Sequence, residues 1–150
     1  MTRRDAILLL PALLAGCAHP PPPPPVLSLT IIGGADQNPG PAGQASPVAV
    51  RLIQLATTGS FERADVFALT DREKATLGED DLGSEEIVIA PVETRTLKRE
   101  LKKGTQFVGT VVLFRDIDRA KWRSIAPVAG SGPTALTLRI AGLTATLASG

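Results

Sequence analysis

From Val26 the chain alternates, with Leu27, Leu29 and Ile31 apolar and Ser28 and Thr30 polar, the two-residue period of a half-buried strand. Gly33-Gly34 ends it. Val48 to Leu55 predicts a second strand, with Val48, Val50 and Leu52 on one side and Ile53 and Leu55 on the other. Thr57-Thr58-Gly59-Ser60 breaks that pattern. Ser60 is placed to cap a helix from Phe61 to about Leu69, where Phe61, Ala64 and Ala68 recur at three- and four-residue spacing, and Asp71 to cap a further turn that stops at Gly78. Residues 60 to 78 thus read as a helical insertion covering part of a sheet. Strand patterns then resume over Glu85 to Ala90, ending at Pro91, and over Thr94 to Leu101, where threonine, leucine and charge alternate as on an edge strand. After the turn Lys102-Lys103-Gly104, residues Thr105 to Phe114 are apolar on both faces and belong in the middle of a packed structure. A short helical turn over Asp118 to Trp122 and two strands, Ala135 to Ala141 and Leu143 to Ala148, follow. The pattern predicts a mostly β fold: a two-sheet β-sandwich over residues 26–149, with a short helical insertion at about 60–78.

The segment before the sandwich has a different character. Arg3 and Arg4 precede an apolar run, Ala6 to Leu14, too short to span a bilayer, and the run leads into Leu14-Ala15-Gly16-Cys17. This predicts a signal peptide over residues 1–16, ending in the lipobox pattern of bacterial lipoproteins, with Cys17 the lipidated residue and the new N-terminus. Two or three acyl chains at about 0.8 kcal/mol per buried methylene would hold such a protein on a membrane. Ala18, rather than aspartate, follows the cysteine, which points to the periplasmic face of the outer membrane. Residues 17–25 then form a stalk, because the run Pro20 to Pro25 favours polyproline II and spans about 19 Å.

Composition narrows the functional classes. The 16 basic and 15 acidic residues lose two and one respectively with the signal segment, which leaves the mature chain balanced and gives no basis for nucleic-acid binding. Its one histidine, His19, lies in the stalk, and its one cysteine is the acylation site, so Ser-His, Cys-His and zinc chemistry are not expected, nor is any cofactor or enzymatic activity. Asp80-Asp81 and Glu85-Glu86 read as a solvated turn. Asp36, Asn38 and Gly40 have a fragment of calcium-loop spacing without the later acidic ligands.

Two stretches remain as candidates. Residues 33–47 hold four glycines and three prolines and little that could enter a core, and a loop of that length in a compact domain is more often functional than not. In the stretch Phe114 to Arg123, Arg115, Arg119 and Arg123 recur every four residues, with Asp116 and Asp118 among them as ion-pair partners. We read this stretch as architectural, Trp122 closing one end of the sandwich while the charges pair and cap the helical turn.

The lipobox cysteine, Leu27-Ser28-Leu29, Asp36-Gln37-Asn38-Pro39, Ser46 through Leu55, Phe61-Glu62-Arg63-Ala64-Asp65, Leu77-Gly78 and the Phe114-to-Arg123 segment, taken in that order, resemble the outer-membrane lipoproteins of the type VI secretion system (TssJ, SciN, VasD). The resemblance implies a transthyretin-like sandwich with added helices, anchored in the outer membrane by its lipid. It further implies that the domain holds the periplasmic C-terminal region of the inner-membrane subunit TssM and, indirectly, the membrane complex that contains TssL. The loop between the first two strands takes part in that contact in the family, which makes Asp36, Gln37, Asn38, Pro39 and Gln44 the partner-binding candidates. Arg115, Asp116, Asp118, Trp122 and Arg123 are the structural motif. Gly40-Pro41 departs from the acidic or polar residue often found after Asn-Pro. A lipoprotein carrier enclosing a small apolar ligand is the alternative, and a cavity of several hundred Å³ is the feature that would mark it.

Overall fold

The computed structural model describes residues 16–150, so the predicted signal segment, apart from Gly16, lies outside the described residues. In chain order the strands are β1 (Pro25–Gly33), β2 (Val48–Leu55), β3 (Asp81–Ile89), β4 (Thr94–Glu100), β5 (Phe107–Val112), β6 (Arg123–Pro127), β7 (Gly132–Ala141) and β8 (Thr144–Ser149). They make the expected two sheets, ordered β4-β1-β7-β8 and β3-β2-β5-β6. Neighbouring strands are antiparallel except β1 and β7, which run parallel.

Two hydrophobic cores follow from the alternation. Leu27, Leu29 and Ile31 of β1 meet Val48, Val50 and Leu52 of β2, Val108 and Val112 of β5, and Leu136, Leu138 and Ile140 of β7 between the sheets. The opposite side of β2, Ile53 and Leu55, packs with Val111 beneath the helical insertion, against Phe61, Val66, Leu69 and Leu77. That second core explains why β2 and β5 are apolar on both faces: one side faces the other sheet and the other side faces helices. Gly109 on β5 is where the cover comes closest. A Cβ there would lie 2.7 Å from the Phe61 ring, so only glycine lets the ring seat.

The insertion is three short helices rather than two: α1 (Gly59–Arg63), α2 (Val66–Asp71) and α3 (Glu73–Leu77). Asp65, not Ser60 or Asp71, supplies the capping carboxylate. Its backbone is extended and its side chain accepts from the Ala68 N–H at 2.8 Å, which breaks the predicted long helix at Ala64 and restarts it. Gly78 stops α3 with φ +56, as its sequence position suggested.

The acidic pairs are not a solvated turn. A 3-10 turn over Gly78–Asp80 runs straight into β3, so the strand's alternation sends the Asp81 carboxylate inward, where it accepts from the Gly83 N–H at 2.9 Å and meets Lys74 at 2.9 Å. Glu85 pairs with Arg99 at 3.0 Å across the sandwich edge. Glu86 and Glu73 share Arg51, at 3.2 and 2.6 Å, and the hydrogen bond that Arg51 donates to Glu73 raises the Arg51 pKa against the opposing effect of burial. The predicted helical turn shrinks to Ile117–Arg119, and Trp122 leads instead into β6, an edge strand too short to show a period of two in the sequence.

Strand directions give the sandwich two poles. The stalk enters at the start of β1, where Gly132 N–H donates to Pro23 and Pro24 carbonyls at 3.3 and 3.2 Å and Leu101 N–H to Pro25 at 2.8 Å. A nine-residue strand covers about 27 Å, so the end of β1 lies on the opposite side of the domain. The 34–47 loop, the 90–93 turn, the 113–122 segment and the β7–β8 turn all gather there.

Candidate functional site

The far rim is built by backbone and amide hydrogen bonds among those four segments. Gln37 and Asn38, 0% and 3% exposed, are the buried pins of the long loop, which corrects the expectation that its residues stay out of the interior. The Gln37 side-chain amide donates to the Ile89 carbonyl at 2.9 Å and to Ser46 at 3.2 Å. Asn38 does more. Its Nδ2 donates to the Pro47 carbonyl at 2.9 Å, its Oδ1 accepts the Arg115 N–H at 2.8 Å, and its own N–H donates to the Gly142 carbonyl at 2.9 Å. One residue therefore ties the loop to its own exit, to the 113–122 segment and to the β7–β8 turn. The φ of +46 that this position needs is one asparagine tolerates well.

The remaining loop candidates sit further out. Asp36 is exposed, and its Oδ1 accepts the Gly142 N–H at 3.1 Å. With Asp36 and Asn38 engaged in this way, the calcium-like spacing is accounted for by the loop's own bonding. Pro39 is half-buried and leads into a tip closed on itself: Gly40 N–H donates to the Gln44 carbonyl at 2.7 Å, and Gln44 Oε1 accepts the Ala42 N–H at 3.0 Å. What the rim offers outward is Ala35, Asp36 and the tip Pro41 to Gln44, all exposed. Of the five predicted contact residues, Gln37 and Asn38 thus shape the surface from beneath, while Asp36 and Gln44 lie on it.

The Phe114-to-Arg123 motif divides in two. Arg123 donates through Nη1 to the Phe61 carbonyl at 2.8 Å and to that of Glu62, and through Nη2 to Ala64 at 2.6 Å, gripping the exposed carbonyl end of α1. Its guanidinium also stacks 4.4 Å from the Trp122 ring and 5.8 Å from that of Phe61. Burial lowers its pKa from the ordinary value, opposed by Glu62 and Asp65. Arg123 and Trp122 therefore fasten the helical cover to β6, an architectural role. Arg119 pairs with Asp116 at 3.4 Å, while Arg115 and Asp118 are exposed on the rim. The pattern of side chains alone could not reveal this clamp, because its acceptors are backbone carbonyls some sixty residues away.

Side chains from both sheets fill the space between them. Three open concavities of similar size lie around this core: about 510 Å³ along the seam between the edge strands β6 and β8, about 520 Å³ beside α2 and α3, and about 580 Å³ between α2 and the rim. Among the described residues no three or more His, Cys, Asp or Glu side chains group as metal ligands, and no helix is long and apolar enough to cross a membrane.

Fold and rim together define a class: a β-sandwich module with a helical cover on one face and an ordered, multi-loop surface at one pole. The chain belongs to the type VI secretion lipoprotein family (VasD, EvfM, TssJ), whose model matches residues 25–143. Lipoprotein TssJ1 of Pseudomonas aeruginosa is 34% identical, with a TM-score of 0.82 over 85% of this chain and 98% of that one. A chain of a type VI membrane complex is 26% identical, with a TM-score of 0.74 over 83% and 98%. A chain in the structure of the TssM C-terminal domain from EAEC, 24% identical with a TM-score of 0.69 over 84% and 99%, shares the fold. No curated protein sequence gives a significant match.

Proposed function

We propose that this lipoprotein anchors the type VI secretion trans-envelope complex at the outer membrane, with the acyl chains on Cys17 at one pole and the periplasmic C-terminal region of TssM gripped at the other. It works without catalysis. Cys17 is exposed and precedes the proline stalk, outside the span that the family model matches, as a tether should be. Family membership and the likeness to a membrane-complex chain support the assembly role.

The observation that carries the reading is the pinned loop. A flexible connection of this length would lose its conformational freedom on binding, at about 1–2 kcal/mol per residue fixed. Here Gln37 and Asn38 have already fixed it, so the exposed tip is pre-organised for a partner. The test is co-elution of the soluble mature chain (Cys17→Ser) with the purified TssM C-terminal periplasmic domain on size exclusion. A 1:1 or higher-order complex is expected, lost when residues 40–45 are replaced by a tight turn. Separate elution of the intact chain and the TssM domain would overturn the reading.

A further inference from the structure

The 90–93 turn breaks a rule that folding alone would respect. Glu93 N–H donates to the Ala90 carbonyl at 3.2 Å, closing a four-residue turn with Pro91 second and Val92 third. Val92 has φ +57. Proline in the second position and a positive φ in the third are the geometry of a type II turn, which takes glycine or asparagine there because a Cβ is crowded in that conformation. A β-branched residue is the poorest choice. Val92 is also 73% exposed, so burial within this chain does not offset the strain.

The turn keeps this conformation because its surroundings fix it several times over. Gly33 N–H donates to the Glu93 carbonyl at 2.7 Å, and the Glu93 carboxylate accepts the Ala90 N–H at 3.4 Å and pairs with Arg95 at 2.7 Å. Gly33 itself must lack a Cβ, which would lie 2.5 Å from the Ala90 carbonyl oxygen. Strain that is over-determined and yields no internal packing marks a functional position more often than a structural one. Val88, also exposed, is different: it sits in a strand, where a β-branched residue is at ease.

The position of the turn says what it serves. The Gly33–Glu93 bond joins it to the residue from which the long loop departs, so Val92 stands on the same rim as Asp36 and the loop tip. We propose that Val92 is the apolar anchor of this rim, entering an apolar socket on the same partner domain that the loop meets. This rests on the docking reading above. The partner surface is thereby specified: a depression for one branched aliphatic side chain, beside the area that meets the loop.

Val92→Gly and Val92→Asn separate docking from folding, since both suit a positive φ. Each is expected to melt at or above the wild-type temperature yet bind the TssM C-terminal domain about tenfold or more weakly in calorimetric titration, while Val92→Leu stays within about threefold. Glycine and asparagine variants that bind within about twofold of an active wild type overturn the anchor, and leave the loop reading standing if the loop replacement still abolishes binding. A wild-type chain that does not bind at all overturns both.

Discussion

Replacing Asn38 with alanine removes the two side-chain bonds that tie the rim loop to Pro47 and Arg115, at 2.9 and 2.8 Å, while the backbone bond to Gly142 remains available. Each such bond contributes about 1 kcal/mol net, and leaving a half-buried acceptor and donor unpaired adds a fraction more, so the ordered loop should lose roughly 2–3 kcal/mol. Since about 1.4 kcal/mol is a factor of ten, local opening should become about 30- to 150-fold more frequent. Native-state hydrogen exchange reads this directly at three amides: Asn38, Ser46 and Arg115, whose acceptors are Gly142, Gln37 and Asn38 itself. Asn38→Asp retains an acceptor for Arg115 but turns a carboxylate oxygen toward the Pro47 carbonyl in a buried site, so it should not restore wild-type exchange. Affinity for the TssM domain should drop by no more than the opening factor, because the variant changes only the fraction of loop that is competent to bind. Wild-type exchange rates at all three amides in Asn38→Ala would refute the claim that this residue organises the rim.

Arg123→Ala should cost about 3 kcal/mol, given three carbonyl bonds from a charged donor that water can only partly replace, and lower the melting temperature by about 10 °C. Affinity for the TssM domain, measured well below that transition, should be unchanged, because the clamp fastens helices rather than the rim. Gly109→Val drives a side chain into the Phe61 ring and should destabilise by about 1–3 kcal/mol, read by urea unfolding; an unchanged midpoint would contradict the seating of Phe61. Cys17→Ser in cells should leave a soluble periplasmic protein or an unprocessed precursor, and unaltered membrane fractionation would contradict the lipid anchor.

Most of the sandwich is legible in the sequence because the period of two is so regular: Leu27, Leu29 and Ile31 are each fully buried, and the two-faced patterns of β2 and β5 mark the strands that carry both cores. The acidic pairs mislead because polarity alone carries no register; once β3 begins at Asp81, alternation turns that carboxylate inward. Asp65 lies within an apparently continuous helical pattern, although its side chain starts a new helix. At the rim, glycines and prolines mark the loop but not its inner side. Gln37 and Asn38 are polar, yet they are buried because each finds carbonyl or amide partners brought together only by the assembled sheets. The Arg123 clamp and the Val92 turn are hidden for related reasons: one acts on backbone carbonyls, and the other is visible only in a φ angle.

The proposed polarity, a tether at one end and a grip at the other, is open to one direct measurement: hydrogen exchange across the mature chain with and without the TssM C-terminal domain. Protection should appear over residues 34–47 and 90–93 and at the β7–β8 turn, and be absent from the 101–106 and 128–131 segments beside the stalk. Protection confined to those stalk-side segments, or to the outer face of the β4-β1-β7-β8 sheet, would contradict the account.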